Sequence, residues 1–70
     1  MKRQNVDSSN IRSIGYDEKT EILEVEFQNS HIYQFEGVDK SVHKKLLKAE
    51  SIGKTFNESV RRKFNFKKVL

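Results

Sequence analysis

Hydrophobic and polar residues alternate along the first half of the chain, as is typical of β-strands with one buried face. The clearest strand spans residues 21–27, and its apolar face consists of Leu23, Val25 and Phe27. Residues 32–36 repeat the alternation, with Tyr33 and Phe35 on one side. Both segments therefore predict half-buried strands.

A weaker strand is predicted over residues 11–16, where Gly15 is a candidate position for a β-bulge. Short turn sequences at 17–20 and 29–30 separate the three segments. Both connections are too short for a crossover, so we expect a three-stranded antiparallel meander.

The spacing of apolar residues becomes helical after Gly37. A first helix is predicted over residues 40–50, with Asp39 as its N-cap and Gly53 as its terminator. Its buried stripe consists of Val42, Leu46 and Ala49.

A second helix is predicted from a capping box in which Thr55 caps the helix and Glu58 reaches back to the Thr55 amide. Its apolar stripe consists of Phe56, Val60 and Phe64. Residues 65–70 fit either a fraying tail or a short strand. The expectation is one α+β domain over residues 6–64, with two helices packed on one face of the meander. The residues expected to be buried include Leu23, Val25, Phe27, Phe35, Leu46 and Val60.

The composition of this 70-residue chain narrows its class. It has no cysteine, so disulfides and thiolate metal sites are excluded and a reducing compartment is expected. No apolar run has the roughly 20 residues that a membrane span needs. Because no apolar stretch follows the basic N-terminal residues, we expect no signal peptide and a cytoplasmic protein.

Charge is divided unevenly between the two halves. Residues 1–36 hold four basic and seven acidic groups, a net charge of −3, whereas residues 37–70 hold ten and three, a net of +7. This asymmetry fits either a polyanion-binding surface or an ordinary solvated helical surface. The candidate phosphate-binding residues are Lys44, Lys45, Lys48, Lys54, Arg61, Arg62 and Lys63.

Residues able to support catalysis do not assemble into a recognisable set. Residues 51–55 end like a P-loop, but Lys48 stands where the first glycine is required. His31 and His43 are the only imidazoles and lack a ligand partner at metal spacing. The Glu24 and Glu26 pair is expected on an outward sheet face, where it serves solubility. We expect no enzyme activity, no cofactor and no metal.

Two aromatic residues beside a turn or a cap have two interpretations. Tyr33 and Phe56 could stack on nucleobases or could pack in the core. Only 34% of the residues are hydrophobic, so the domain needs its aromatic side chains in the core. We therefore expect the strand face that carries Tyr33 and Phe35 to point into the core.

Several sequence elements occur in an order shared with a known family. They are Ser8-Ser9, Ile14-Gly15-Tyr16-Asp17, Leu23–Phe27, Tyr33-Gln34-Phe35, Val38, Leu46-x-x-Ala49 and Ser51–Asn57. Together they resemble the KTSC domain, found at the C-terminus of some lysyl-tRNA synthetases and as stand-alone bacterial or phage proteins. Two positions depart from the family pattern, since Phe35 replaces its second central tyrosine and Ser30 its hairpin glycine.

The resemblance implies an association with RNA. The leading hypothesis is weak binding of RNA or single-stranded nucleic acid through the basic helical half. The alternative is a protein–protein interaction module that uses a sheet edge or the acidic strand face.

Overall fold

The computed structural model describes residues 2–70 and contains one five-stranded sheet and two helices. The strands are β1 (Arg3–Asn5), β2 (Ile11–Asp17), β3 (Ile22–Phe27), β4 (Ile32–Phe35) and β5 (Phe66–Lys68). The helices α1 (Lys40–Lys48) and α2 (Ile52–Ser59) follow β4. All neighbouring strands are antiparallel, in the order β1-β2-β3-β4-β5. The predicted α+β class is confirmed, but the predicted number of strands is wrong.

The two strands beyond the predicted three-stranded meander are the edges of the sheet. β1 contains no apolar residue and β5 contains one, so neither shows the alternation that reveals a strand. Each exists because its backbone pairs with a longer neighbour, Arg3 opposite Gly15 and Phe66 opposite Phe35. Of the two interpretations of residues 65–70, the structure shows the strand.

Local irregularities lie at different residues from those expected. The register shift in the β2–β3 pair falls between Ile11 and Ser13, and Gly15 pairs regularly with Glu24. In the β3–β4 hairpin, Ser30 adopts a φ of 73°. This left-handed conformation favours glycine, which explains why a serine there is unusual.

The core lies between one sheet face and the two helices. Its fully buried members include Leu23, Val25, Leu46 and Val60, and Phe35 is 3% exposed. These five predictions are confirmed, whereas Phe27 is only half-buried at the margin of the core. The other buried hydrophobic residues, outside the six expected, are Ile11, Ile14, Ile32, Val38, Ile52 and Phe56.

Helix α1 begins where the sequence predicts. The Asp39 carboxylate accepts a hydrogen bond from the Val42 amide at 3.2 Å, which confirms the predicted cap. The helix ends at Lys48, two residues before the predicted end, because Ala49 takes extended backbone angles. Leu46 is its fully buried residue.

Helix α2 begins earlier than predicted. Its N-cap is Ser51, whose hydroxyl accepts from the Lys54 amide at 3.3 Å, so the prediction of Thr55 is wrong. Gly53 does not terminate α1 but lies in the first turn of α2. The helix ends at Ser59, and the residues up to Phe64 form turns instead of a continued helix. Neither helix in the described range has the length and apolar character that a membrane crossing requires.

Candidate nucleic-acid interface

The acidic side chains on the outer sheet face are paired within the protein. Glu24 is 7% exposed, and its carboxylate accepts from the Arg3 guanidinium at 2.5 Å and from the Gln34 amide at 2.8 Å. Glu26 accepts from the Ser13 hydroxyl at 2.8 Å. The prediction that this pair serves solubility is therefore wrong for Glu24, which is held inside a polar network.

Electrostatics at Glu24 follow from this network. Burial alone would raise the pKa of the Glu24 carboxyl, but hydrogen bonds from Gln34 and Arg3 and the Arg3 charge outweigh it and lower that pKa. The Arg12 guanidinium lies 4.0 Å from the Glu26 carboxylate, so Glu26 also has a cationic partner. The outer face is thus largely neutralised by groups of the chain itself.

The seven predicted phosphate-binding residues are all exposed. Lys44, Lys45 and Lys48 lie on α1, Lys54 lies on α2, and the other three follow α2. The two helices contact each other, which brings these segments to one side of the sheet. Within residues 2–70, none of the seven has a carboxylate oxygen within 4.0 Å.

An open groove of ≈ 560 Å³ lies between the sheet and α2. Aromatic side chains from four elements line it, namely Phe27, Tyr33, Phe35, Phe56 and Phe66. We call this feature the aromatic groove. It brings together aromatic residues that are up to 39 positions apart in the sequence, from Phe27 to Phe66.

The five rings form a closed circle of contacts. Edge-to-face contacts join Phe27 to Tyr33 and to Phe56, each with centroids 5.6 Å apart. Phe35 lies 5.4 Å from Phe56 and 5.5 Å from Phe66, and Tyr33 lies 5.7 Å from Phe66. Contacts of this kind add stability beyond simple area burial, so the groove wall is a packed and preorganised surface.

Exposure differs greatly around this circle. Phe35 and Phe56 are each 3% exposed and form the floor. Phe27 and Tyr33 are half-buried walls, and Phe66 is 56% exposed at the rim. Of the two predicted stacking residues, Phe56 thus belongs to the core, while Tyr33 retains a partly open face. Phe66, not chosen from the sequence, is the most exposed ring of the five.

Polar and cationic groups line the rim of the aromatic groove. The exposed side chains of Asn10, Asn57 and Arg61 lie along it. The Arg61 backbone amide donates to the Phe56 carbonyl at 3.1 Å, which fixes the turn that carries the guanidinium. Lys68 pairs with Tyr33 across β4 and β5, and directly opposite residues share a sheet face, so Lys68 lies on the groove side.

Most of the predicted basic residues lie away from the aromatic groove. Only Arg61 lines it. Lys54 lines a second groove of ≈ 520 Å³ together with Asp7, Glu50 and Glu58. Three carboxylates make that second groove unfavourable for phosphate. Phe66 and Lys68 were not recognised as site residues from the sequence. Alternation over residues 66–68 places both on one face of a strand, but three residues are too short a pattern to identify a strand.

Tyr16 and His43 form a separate contact at the end of the sheet. Their rings stack with centroids 4.9 Å apart, and the Tyr16 hydroxyl donates to the Val38 carbonyl at 2.6 Å. Burial raises the pKa of Tyr16, helped by the nearby Glu21 carboxylate, and burial lowers the pKa of His43. Between Lys2 and Leu70, no three His, Cys, Asp or Glu side chains gather closely enough to hold a metal ion.

Comparison with known proteins gives a consistent result. A family model described as the KTSC domain matches residues 7–64. An uncharacterized protein of Stutzerimonas stutzeri (strain A1501) is 47% identical over 58 residues, which are 83% of this chain and 82% of that protein. A lysine–tRNA ligase of Nostoc punctiforme is 33% identical over 63 residues, which are 90% of this chain but only 11% of the ligase.

A solved structure has nearly the same backbone. The crystal structure of a KTSC domain protein from Yersinia pestis superposes with a TM-score of 0.96 at 38% sequence identity. The alignment covers 99% of this chain and 97% of that one. Both edge strands and both helices therefore belong to a fold that experiment has observed in a similar protein.

Proposed function

This chain belongs to the KTSC domain family, and on that premise we propose that it is a small cytoplasmic binding module, not an enzyme, that binds RNA or other single-stranded nucleic acid weakly. Binding uses the basic C-terminal half of the chain. Contacts are made chiefly to the phosphate backbone, with little dependence on base sequence.

The observation that carries this proposal is the unequal pairing of charges. Arg3 and Arg12 in the acidic half each lie within 4.0 Å of a sheet carboxylate. In the described part of the basic half, Lys40 pairs with Glu18, but the seven candidate residues pair with no carboxylate. Except for Lys54, which shares a groove with three carboxylates, their charge is therefore available to an external polyanion, whose counterions would be released on binding.

The aromatic groove adds a feature that a merely solvated basic surface does not need. An open aromatic wall beside cationic side chains is the usual combination in proteins that bind single strands. The similarity to a lysine–tRNA ligase gives further support, since that protein's name includes tRNA. Because the shared segment is 11% of the ligase, its part in that activity is itself an inference.

An enzymatic function is less well supported. Catalytic groups commonly have shifted pKa values and converge in one cleft. Here the groups with shifted pKa values include Glu24 on the outer sheet face and His43 on α1, and neither lines the aromatic groove.

The proposal is tested by measuring the affinity for a labelled single-stranded RNA by fluorescence anisotropy, at several salt concentrations between about 50 and 200 mM. We expect affinity to fall linearly on logarithmic axes as salt rises. Lys44→Ala should weaken binding and reduce the slope by about 0.7 if one phosphate contact is lost.

Lys19→Ala is the matched control, because Lys19 is an exposed lysine in the acidic half, in the turn between β2 and β3. It should change neither the affinity nor the slope by a comparable amount. Absence of binding at the lowest salt, or equal effects of the two variants, would contradict the proposal.

A second candidate function rests on the β5 edge of the sheet. The large exposed hydrophobic residues of the described chain are Phe66 in β5 and Val69 and Leu70, which follow it directly. An edge strand with apolar side chains can pair with a strand of another protein. Protein binding through β5 becomes the better explanation if the RNA titration fails.

A further inference from the structure

We propose that the aromatic groove is a binding site for one unstacked nucleobase of a single strand, with Phe66 as the stacking platform. This inference rests on the proposed nucleic-acid function and adds a specific site to it. Phosphate contacts alone would require no aromatic surface.

Phe66 has the exposure and the support that a stacking platform needs. It is 56% exposed, although a ring of this size would normally be buried in so small a core. The centroid of the Phe66 ring lies 5.5 Å from that of Phe35 and 5.7 Å from that of Tyr33. These ring contacts hold Phe66 against the groove wall. A base that lies on Phe66 would therefore meet a ring already held in place, with little entropy lost on binding.

The opposite rim offers groups that can hydrogen-bond the edge of a base. Asn10 and Asn57 are exposed, and each side-chain amide supplies both donors and an acceptor. Gln28 also lines the groove, but its amide nitrogen already donates to the Ser8 and Ile11 carbonyls at 3.2 and 3.3 Å. It therefore shapes the rim. Exposed amides across from an aromatic wall match the way single-stranded bases are held.

Two cationic residues from different segments lie on the groove side of the protein. Arg61 lines the groove on the α2 side, and Lys68 lies on the groove face of β5 beside Tyr33. A base stacked on Phe66 would thus share the groove with Arg61 and the sheet face with Lys68, which are two cations for its flanking phosphates. This charge complementarity favours a nucleotide over an uncharged apolar segment.

The dimensions of the groove agree with such an occupant. Its ≈ 560 Å³ falls within the roughly 300–1,000 Å³ of small-molecule sites. The groove is open to solvent, so a single strand can reach it from outside the protein.

The test compares the affinities of a short oligouridylate and of the same strand with abasic nucleotides in its centre. Phe66→Leu removes the aromatic face and keeps an apolar side chain. We expect it to weaken binding of the oligouridylate by roughly tenfold and to leave binding of the abasic strand unchanged. Phe66→Tyr should restore the preference for the strand with bases.

Two matched controls come from neighbouring residues of the same segment. Lys67 pairs with Gln34 and faces the opposite side of the sheet from Lys68. Lys68→Ala should therefore weaken binding more than Lys67→Ala does, although both remove one positive charge from β5. Val69→Ala trims another exposed hydrophobic residue outside the groove and should have no effect on base preference.

The possible results separate this inference from the function beneath it. Salt-sensitive binding that is equal for the two strands, or unaffected by Phe66→Leu, overturns the base site and leaves phosphate binding standing. No binding of either strand at low salt overturns both. An unchanged backbone amide spectrum for Phe66→Leu shows that any loss is local.

Discussion

The Glu24 carboxylate shows how a single residue departs from the simple alternation of a strand. Its position predicts a side chain that faces away from the core, and it does so. Its ion-pair partner Arg3 is 21 residues away and lies on the β1 edge strand. Sequence periodicity carries no information on such a distant partner, so the side was predictable and the ion pair was not.

His43 provides a prediction at the same scale. Burial lowers its pKa below the ordinary value of 6.5, so the folded state favours the neutral ring. The stability of the fold with a neutral His43 ring is therefore fully present above about pH 6.5. The free energy of unfolding decreases as the pH falls below this value, because the unfolded chain takes up the proton first. Thermal unfolding should show declining stability between about pH 7.5 and 5.5.

The variant His43→Phe keeps an aromatic ring stacked on Tyr16 and removes the titrating group. We expect its stability to vary less over this pH range than that of the parent protein. An undiminished pH dependence in His43→Phe would show that other groups are responsible.

At the scale of elements, the helices show where capping rules succeed and fail. Asp39 was predicted correctly because it is followed at once by the helical spacing of α1. For α2 the sequence offers two acceptable caps, Ser51 and Thr55, and Thr55 has the stronger local pattern. Tertiary packing favours Ser51, since a helix that begins there carries Ile52 in its first turn, and Ile52 is buried in the core.

This assignment of the cap predicts the effect of two substitutions. Ser51→Ala should destabilise the protein by about 1 kcal/mol, because the Lys54 amide loses its hydrogen-bond acceptor. Glu58→Ala, which would break the alternative capping box, should change stability by less than about 0.5 kcal/mol. Chemical denaturation measures both, and the reverse order of effects would place the cap at Thr55.

The strands follow the same principle. Long strands with an apolar face, such as β3, were predicted from alternation alone. β1 and β5 have three residues each and little apolar content, so only their pairing partners define them. The short strand β5 matters most for function, because it carries Phe66 and Lys68.

At the scale of the whole molecule, the two halves of the chain differ in net charge and in how their charged side chains are paired. The charge division was visible in the sequence, with a net of −3 before residue 37 and +7 after it. In the structure, Arg3 and Arg12 of the acidic half lie beside carboxylates of the same half. The seven candidate residues pair with no carboxylate in the described range. The aromatic groove could not be predicted, since its five rings come from four elements joined only by the fold.

The most direct test of the account is a map of backbone amide chemical shifts as single-stranded RNA is added at low salt and again at high salt. We predict that the largest changes lie around the aromatic groove and the basic helical surface, at Arg61, Phe66 and Lys68 first and Lys44, Lys45 and Lys48 next. These changes should diminish at high salt. Changes centred on the outer sheet face around Glu24, or no changes with excess RNA, would contradict the central claim that this domain binds single strands through its basic half.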